Sequence, residues 1–176
     1  MMTTTLILGG TKSGKSRLAE QWAATTNESV TYIATAQAHD DEMAKRIKQH
    51  QQQRPDNWPT IEQPLYLADA IKKATTDVVL VDCLTLWLTN LLLAEDVLLT
   101  EQISAFLDTL QTSDKHIIMV SNETNMGVMP LGDLTRRYCD EAGVLHQRIA
   151  NISDNVILTV AGLPHLLKGQ LHEQLR

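Results

Sequence analysis

Thr4-Thr-Leu-Ile-Leu8 runs directly into Gly9-Gly-Thr-Lys-Ser-Gly14-Lys15-Ser16, and Lys15–Ala24 then keeps Leu18, Trp22 and the alanines at helical spacing. A β-branched and leucine-rich strand, a glycine-rich turn and an amphipathic helix are thus joined without a break. The turn matches G-x-x-x-x-G-K-[ST] in the strand-then-helix context that motif requires. Its glycines allow successive backbone N–H groups to turn inward, and the helix beginning near Lys15 adds its positive dipole end. Gly9, Gly10, Thr11, Lys12, Ser13, Gly14, Lys15 and Ser16 are therefore expected to hold a nucleotide triphosphate largely by main chain. Lys15 is expected to reach the β- and γ-phosphates, and Ser16 to ligate Mg²⁺.

The remainder of the chain repeats the alternation. Apolar runs at Val30–Ala34, Val78–Asp82, Ile117–Ser121 and Val156–Val160 are separated by helical patterns around Ala68–Ala74, Glu101–Leu110 and Leu134–Ile149. In the last of these, Leu134, Tyr138, Ala142, Leu145 and Ile149 form one stripe at steps of three and four. The expected fold is α/β and P-loop NTPase-type (RecA-like), with a mainly parallel central sheet and helices on both faces. With 176 residues, 43% of them hydrophobic, the chain is expected to form one domain spanning 1–176. Arg54–Thr60 and Asn122–Gly132 read as irregular connections.

Charge and composition exclude several classes of function. Fifteen Lys and Arg against 21 Asp and Glu give a net charge of −6, the wrong sign for a protein that contacts many backbone phosphates, so no nucleic-acid partner is expected. Cys83 and Cys139 stand apart without metal-ligand or disulfide spacing, which favours the reducing cytoplasm. The most apolar stretch, Val78–Ala94, is interrupted by Asp82, Thr85, Thr89 and Asn90, so no membrane span or signal peptide is expected.

Asp82 ends an apolar strand expected to lie beside the phosphate loop, and a carboxylate there can hold Mg²⁺ through water. An Asp at a strand end is also common in any parallel α/β domain. Asn122 and Glu123 form another polar strand end, open equally to a turn role and to a role near an acceptor substrate. Asp40–Arg54 begins acidic and turns basic, as a helix complementing its own dipole does. Arg46, His50 and Arg54 fall four residues apart on one stripe, where flanking cations would keep His50 unprotonated and draw an anionic substrate. By spacing alone a solvated helix surface is the commoner explanation of that stripe.

These residues also carry a resemblance. Leu8–Ser16, Tyr32-Ile-Ala-Thr-Ala36, Asp40-Asp-Glu-Met-Ala-Lys-Arg-Ile47, His50 with Arg54-Pro55 and Trp58, Thr89-Asn90-Leu91, and Ser121-Asn-Glu123 with Met126-Gly127 and Pro130 occur together. Over nearly its whole length the chain resembles the bifunctional adenosylcobinamide kinase/adenosylcobinamide-phosphate guanylyltransferase family of cobalamin biosynthesis. The resemblance implies phosphorylation of adenosylcobinamide with ATP or GTP, followed by transfer of GMP from GTP to the phosphorylated product, giving adenosylcobinamide-GDP and pyrophosphate. It implies His50 as the nucleophile that carries GMP. It further implies nucleotide contacts from Ala34, Thr35, Ala36, Gln51, Gln52, Gln53, Arg54, Glu62 and Leu84, and a homotrimeric assembly. Gln49 and Gln51–Gln53 depart from the family's usual side chains. A single-activity P-loop kinase of small metabolites would spare His50 any role, and a nucleotide-controlled binding protein would form no acceptor product; the latter's G-protein form lacks its Asn-Lys-x-Asp motif here.

Overall fold

The computed structural model describes residues 2–38, 41, 44, 45, 47, 55, 57–172 and 175. Its strands are β1 (Thr4–Gly9), β2 (Val30–Ala34), β3 (Thr60–Glu62), β4 (Val78–Asp82), β5 (His116–Asn122), β6 (Asn155–Val160) and β7 (Leu163–Lys168). The helices are α1 (Lys15–Thr25), α2 (Leu67–Lys73), α3 (Leu84–Leu92), α4 (Asp96–Thr112) and α5 (Asp133–Ile152). All seven strands form one sheet in the order β3-β2-β4-β5-β1-β6-β7, parallel except for β7. The five expected strands are all present, and the structure adds the short β3 and the antiparallel β7.

The strands are buried on both faces, which is why their sequences read as nearly continuous apolar runs. Ile7, Tyr32, Leu80, Ile118 and Ile157 pack under Leu18, Ala19 and Ala23 of α1. Leu6, Ile33, Val79, Val81, Ile117 and Met119 face the opposite way into the larger cluster supplied by α2, α3, α4 and α5. In that cluster Trp87 meets Phe106 edge-to-face with ring centroids 5.0 Å apart, and its indole N–H donates to the Leu65 carbonyl at 2.7 Å. Of the stripe expected on α5, Ala142, Leu145 and Ile149 are buried, Tyr138 is half-buried and Leu134 is exposed.

One expectation about placement needs correction. The strand that ends in Asp82 does not lie beside the phosphate-loop strand, because β5 is inserted between β4 and β1. The chain leaves β4 through α3 and α4, and the crossover returns it into the gap next to β1. The carboxylate therefore stands two strands from β1, roughly 10 Å at ordinary strand spacing.

Candidate functional site

The phosphate loop is held from three sides. Gly14 lies in the left-handed region at φ 98° and caps α1 without any side-chain bond, so side chains leave the first-turn N–H groups unclaimed. Behind the loop, β6 and β7 join through Ala161 and Gly162, both at positive φ as a two-residue hairpin of the primed type requires. Gly162 N–H donates to Ser13 O at 2.8 Å, and a Cβ on Gly14 would sit 3.2 Å from the Gly162 Cα. A Cβ on Gly9 would lie 2.4 Å from Ser13 Oγ and 2.6 Å from the Thr159 carbonyl oxygen. The hairpin is thus the floor of the loop, although its turn residues were not among the expected site residues. Their sequence signal, a lone Ala-Gly between two apolar runs, is weak.

This close approach has a measurable consequence. Gly9→Ala should destabilise the fold by about 1–3 kcal/mol through overpacking, lowering Tm by roughly 2–4 °C per kcal/mol. Calorimetry should also show weaker stabilisation by added nucleotide. An unchanged Tm with normal nucleotide binding would show that the floor yields freely.

Lys15 is half-buried, and its Nζ donates to the Gly10 carbonyl at 3.0 Å. Burial lowers its pKa, while the nearby Cys83 and Asp82 act in the opposite direction. Asp82 accepts a hydrogen bond from the Tyr32 hydroxyl at 2.8 Å, which fixes the carboxylate's orientation. Beyond it, the Asp82–Cys83 peptide bond is cis. The Thr35 hydroxyl donates to Cys83 O at 2.6 Å and accepts from Cys83 N–H at 3.0 Å. The Cys83 thiol, pushed up to about 11 chiefly by burial and next by the Asp82 charge, is no nucleophile at neutral pH. Asn90 then ties β2 to the segment after β3, donating from Nδ2 to Thr35 O at 2.9 Å and to Pro64 O at 3.1 Å. Tyr32, Thr35 and Asn90 together hold the strand ends that surround Asp82.

Strand register shows how the expected contacts are spread. Glu62, Ala34, Asp82 and Val120 occupy one row across β3, β2, β4 and β5. Gly9 pairs with Asn122, two residues further along β5. Ala34, Thr35, Ala36, Glu62, Leu84 and Asp82 thus all lie at the C-terminal end of the sheet, where open α/β sheets bind ligands. Thr35 and Leu84 are fully buried, and Thr35 has its N–H on Asp82 O and its carbonyl on Asn90, so both shape the site from beneath, whereas Glu62 is exposed on the sheet's edge strand. His50, Arg46, Gln51, Gln52, Gln53 and Arg54 lie outside the described residues; Asp41, Ala44, Lys45 and Ile47 of the expected helix are helical.

Between the phosphate loop and α5 lies a polar cluster that no local sequence pattern announces. His146 Nε2 lies 2.8 Å from Ser121 Oγ, which is 3.4 Å from Thr85 Oγ1, and Thr85 in turn accepts from Asn122 N–H at 2.7 Å. Burial lowers the His146 pKa, keeping the imidazole neutral, with Glu123 opposing the shift. Glu123 N–H donates to Gly9 O at 3.0 Å, and its carboxylate accepts from Asn125 N–H at 2.6 Å, so the turn role weighed for this pair is present.

Among the described residues no three His, Cys, Asp or Glu side chains cluster as a metal cage. Mg²⁺ needs no such cage, since one or two protein oxygens, substrate phosphates and water complete its coordination. The Ser16 hydroxyl on the first turn of α1 and the oriented Asp82 carboxylate are donors of that kind. Among the described residues no helix is long and apolar enough to cross a membrane.

Comparison with known proteins agrees with this geometry. The family model for cobinamide kinase / cobinamide phosphate guanyltransferase matches residues 5–167. The bifunctional adenosylcobalamin biosynthesis protein CobP of Pseudomonas aeruginosa is 55% identical over 168 residues, covering 94% of this chain and 97% of that protein. The bifunctional adenosylcobalamin biosynthesis protein CobU of Escherichia coli K12 is 35% identical, covering 90% and 96%. Among solved structures, the RadB recombinase superposes with a TM-score of 0.50 at 13% identity, covering 89% of this chain and 73% of its own. A prototypical type III secretion ATPase from pathogenic bacteria gives a TM-score of 0.53 at 11% identity, covering 89% and 50%. These two likenesses are of fold alone, a mainly parallel sheet flanked by helices.

Proposed function

This chain belongs to the cobinamide kinase / cobinamide phosphate guanyltransferase family, and from that premise we propose how a single nucleotide site serves two reactions. The enzyme is bifunctional, a cobinamide kinase and a cobinamide-phosphate guanylyltransferase using ATP and GTP on a corrinoid substrate. In the kinase step the hydroxyl oxygen of the aminopropanol arm of adenosylcobinamide attacks the γ-phosphorus, the bond to the bridging oxygen breaks, and nucleoside diphosphate leaves. The loop N–H groups of Gly9–Ser16 and the Lys15 ammonium stabilise the charge that spreads over the phosphoryl oxygens. In the second step an imidazole nitrogen of His50 attacks the α-phosphorus of GTP and expels pyrophosphate; the acceptor phosphate then attacks that phosphorus and breaks the P–N bond. Ala34, Thr35, Ala36, Leu84 and Glu62 extend the nucleotide site along the sheet end, and Gln51–Arg54 follow the nucleophile.

The observation that carries this reading is the phosphate loop facing the Tyr32-anchored Asp82 across one sheet end, inside a family match that spans most of the chain. Incubating the purified protein with adenosylcobinamide, ATP and GTP should yield the phosphate and then adenosylcobinamide-GDP by liquid chromatography and mass spectrometry. Nucleotide hydrolysis with no corrinoid product would refute it. Ser16 and Asp82 would hold Mg²⁺, which when bound would offset the negative charge of the phosphates. Asp82→Asn should accordingly slow both reactions, with part of the loss recovered at raised Mg²⁺ or with Mn²⁺. A loss that tracks one ionisation in the pH profile and ignores the metal would instead make Asp82 the base for the acceptor hydroxyl. The homotrimer and the cytoplasmic location belong to the same proposal; light scattering of the purified protein tests the trimer.

A further inference from the structure

Five large apolar side chains are exposed within nine residues, four on the connection from β5 to α5 and one on the first turn of α5. Met126, Val128, Met129, Leu131 and Leu134 are 75%, 97%, 55%, 93% and 51% exposed. Scattered single apolar residues are ordinary on a surface, but a contiguous set marks a place where something binds. The backbone beneath them is fixed. Asn125 Nδ2 donates to Cys139 O at 2.8 Å, and the Arg136 guanidinium donates to the carbonyls of Pro130 and Leu131 and pairs with Asp133. Arg136 is thereby engaged by the loop's carbonyls and Asp133, while the large apolar side chains stay exposed. The segment leaves β5 immediately after Asn122 and Glu123, which pair with and bond to Gly9, so it starts at the mouth of the phosphate loop. The other exposed apolar group, Leu163, Leu166 and Leu167 on β7, follows a strand that runs antiparallel away from the phosphate loop.

We propose that Met126–Leu134 is the platform on which the corrin ring of the acceptor rests, with Val128 and Leu131 at its centre. This rests on the kinase and guanylyltransferase reading, and it assigns the part of the substrate that the phosphate loop cannot hold. The reacting hydroxyl sits at the end of a thin flexible arm, while the macrocycle is too broad to pass between strand ends. With the arm threaded to the γ-phosphate, the ring must lie on the surface at the loop's mouth, and its methyl-studded face matches an apolar shelf. Methionine side chains adapt to such an irregular face.

Adenosylcobinamide is coloured, so equilibrium dialysis against wild-type, Val128→Asp and Leu131→Asp protein, each saturated with a non-hydrolysable ATP analogue, reads binding without turnover. Each variant should weaken corrinoid binding by at least about tenfold, the factor that burying one aliphatic side chain is worth. The KM for the corrinoid should rise in parallel, and the KM for ATP and the kcat should stay put. A corrin-free acceptor, an N-acylated 1-amino-2-propanol, should be phosphorylated equally poorly by all three proteins. Unchanged corrinoid affinity in both variants overturns the platform, as does an equal loss with the corrin-free acceptor. A fall in the assembly's mass by light scattering, accompanying the loss, also overturns it and makes the loop a subunit contact. Wild-type protein that binds the corrinoid but phosphorylates nothing would bring down the functional reading while leaving the platform intact.

Discussion

A His50→Ala variant should phosphorylate adenosylcobinamide and make no adenosylcobinamide-GDP. Kinase chemistry passes the γ-phosphoryl group straight to the acceptor oxygen and needs no imidazole, whereas transfer through a covalent GMP cannot begin without the nitrogen that forms the P–N bond. One substitution therefore splits the two activities. Intact-protein mass spectrometry of the native enzyme with GTP and Mg²⁺ should show the mass of one GMP, labile in acid and stable in alkali as a phosphoramidate is, and discharged when acceptor phosphate is added. Arg46→Ala and Arg54→Ala should slow adduct formation without abolishing it, since they supply charge and not the bond. Label from α-³²P-GTP on any other residue, or on the His50→Ala protein at the wild-type rate, would leave a plain kinase as the better description.

Lys15→Ala should lower both rates by about tenfold to a hundredfold or more, because both use a triphosphate held by the same loop. A charge-assisted hydrogen bond to phosphate contributes on the order of 1.5–3 kcal/mol in the ground state, and more where charge develops. Its Nζ already lies within the loop, 3.0 Å from the Gly10 carbonyl, so a short swing brings it to phosphate oxygens. The parallel loss is the informative outcome. Wild-type kinase turnover at saturating nucleotide would remove the lysine from the mechanism, and a loss confined to guanylyl transfer would mean two separate triphosphate sites.

The phosphate loop and the five buried strands were legible because each is local. A glycine-rich turn between an apolar run and a helical pattern occupies contiguous residues, and strands buried on both faces advertise themselves by composition. The three-residue β3, set between Pro59 and Pro64, was too short for any period to show. Strand β7 carries Pro164 and mostly exposed side chains, as an edge strand tolerates. Helix α3 was hidden inside the Val78–Ala94 run because six of its nine residues are buried, leaving little polar face to mark its turns. The supports around Asp82 were illegible for a different reason. Tyr32, Thr35 and Asn90 hold it through partners on other elements, as His146 holds Ser121, and only the fold brings those partners within reach. The insertion of β5 between the two halves of the site is likewise a property of strand order, which no local pattern contains.

That insertion also sets the order in which a nascent chain can mature. The first strand made, β1, finds neither of its neighbours until translation has passed Ile117 for β5 and Asn155 for β6, and the hairpin turn under the phosphate loop comes later still. Until then, the amino-terminal strand waits with its apolar edges unpaired, and the glycine-rich turn has no floor. Contacts so distant in sequence are slow to close, and unpaired strand edges invite association with other chains. Nucleotide is expected to do little for an incomplete polypeptide, because the floor of its site comes from residues made late. ATP or GTP is thus expected to stabilise chiefly the finished enzyme.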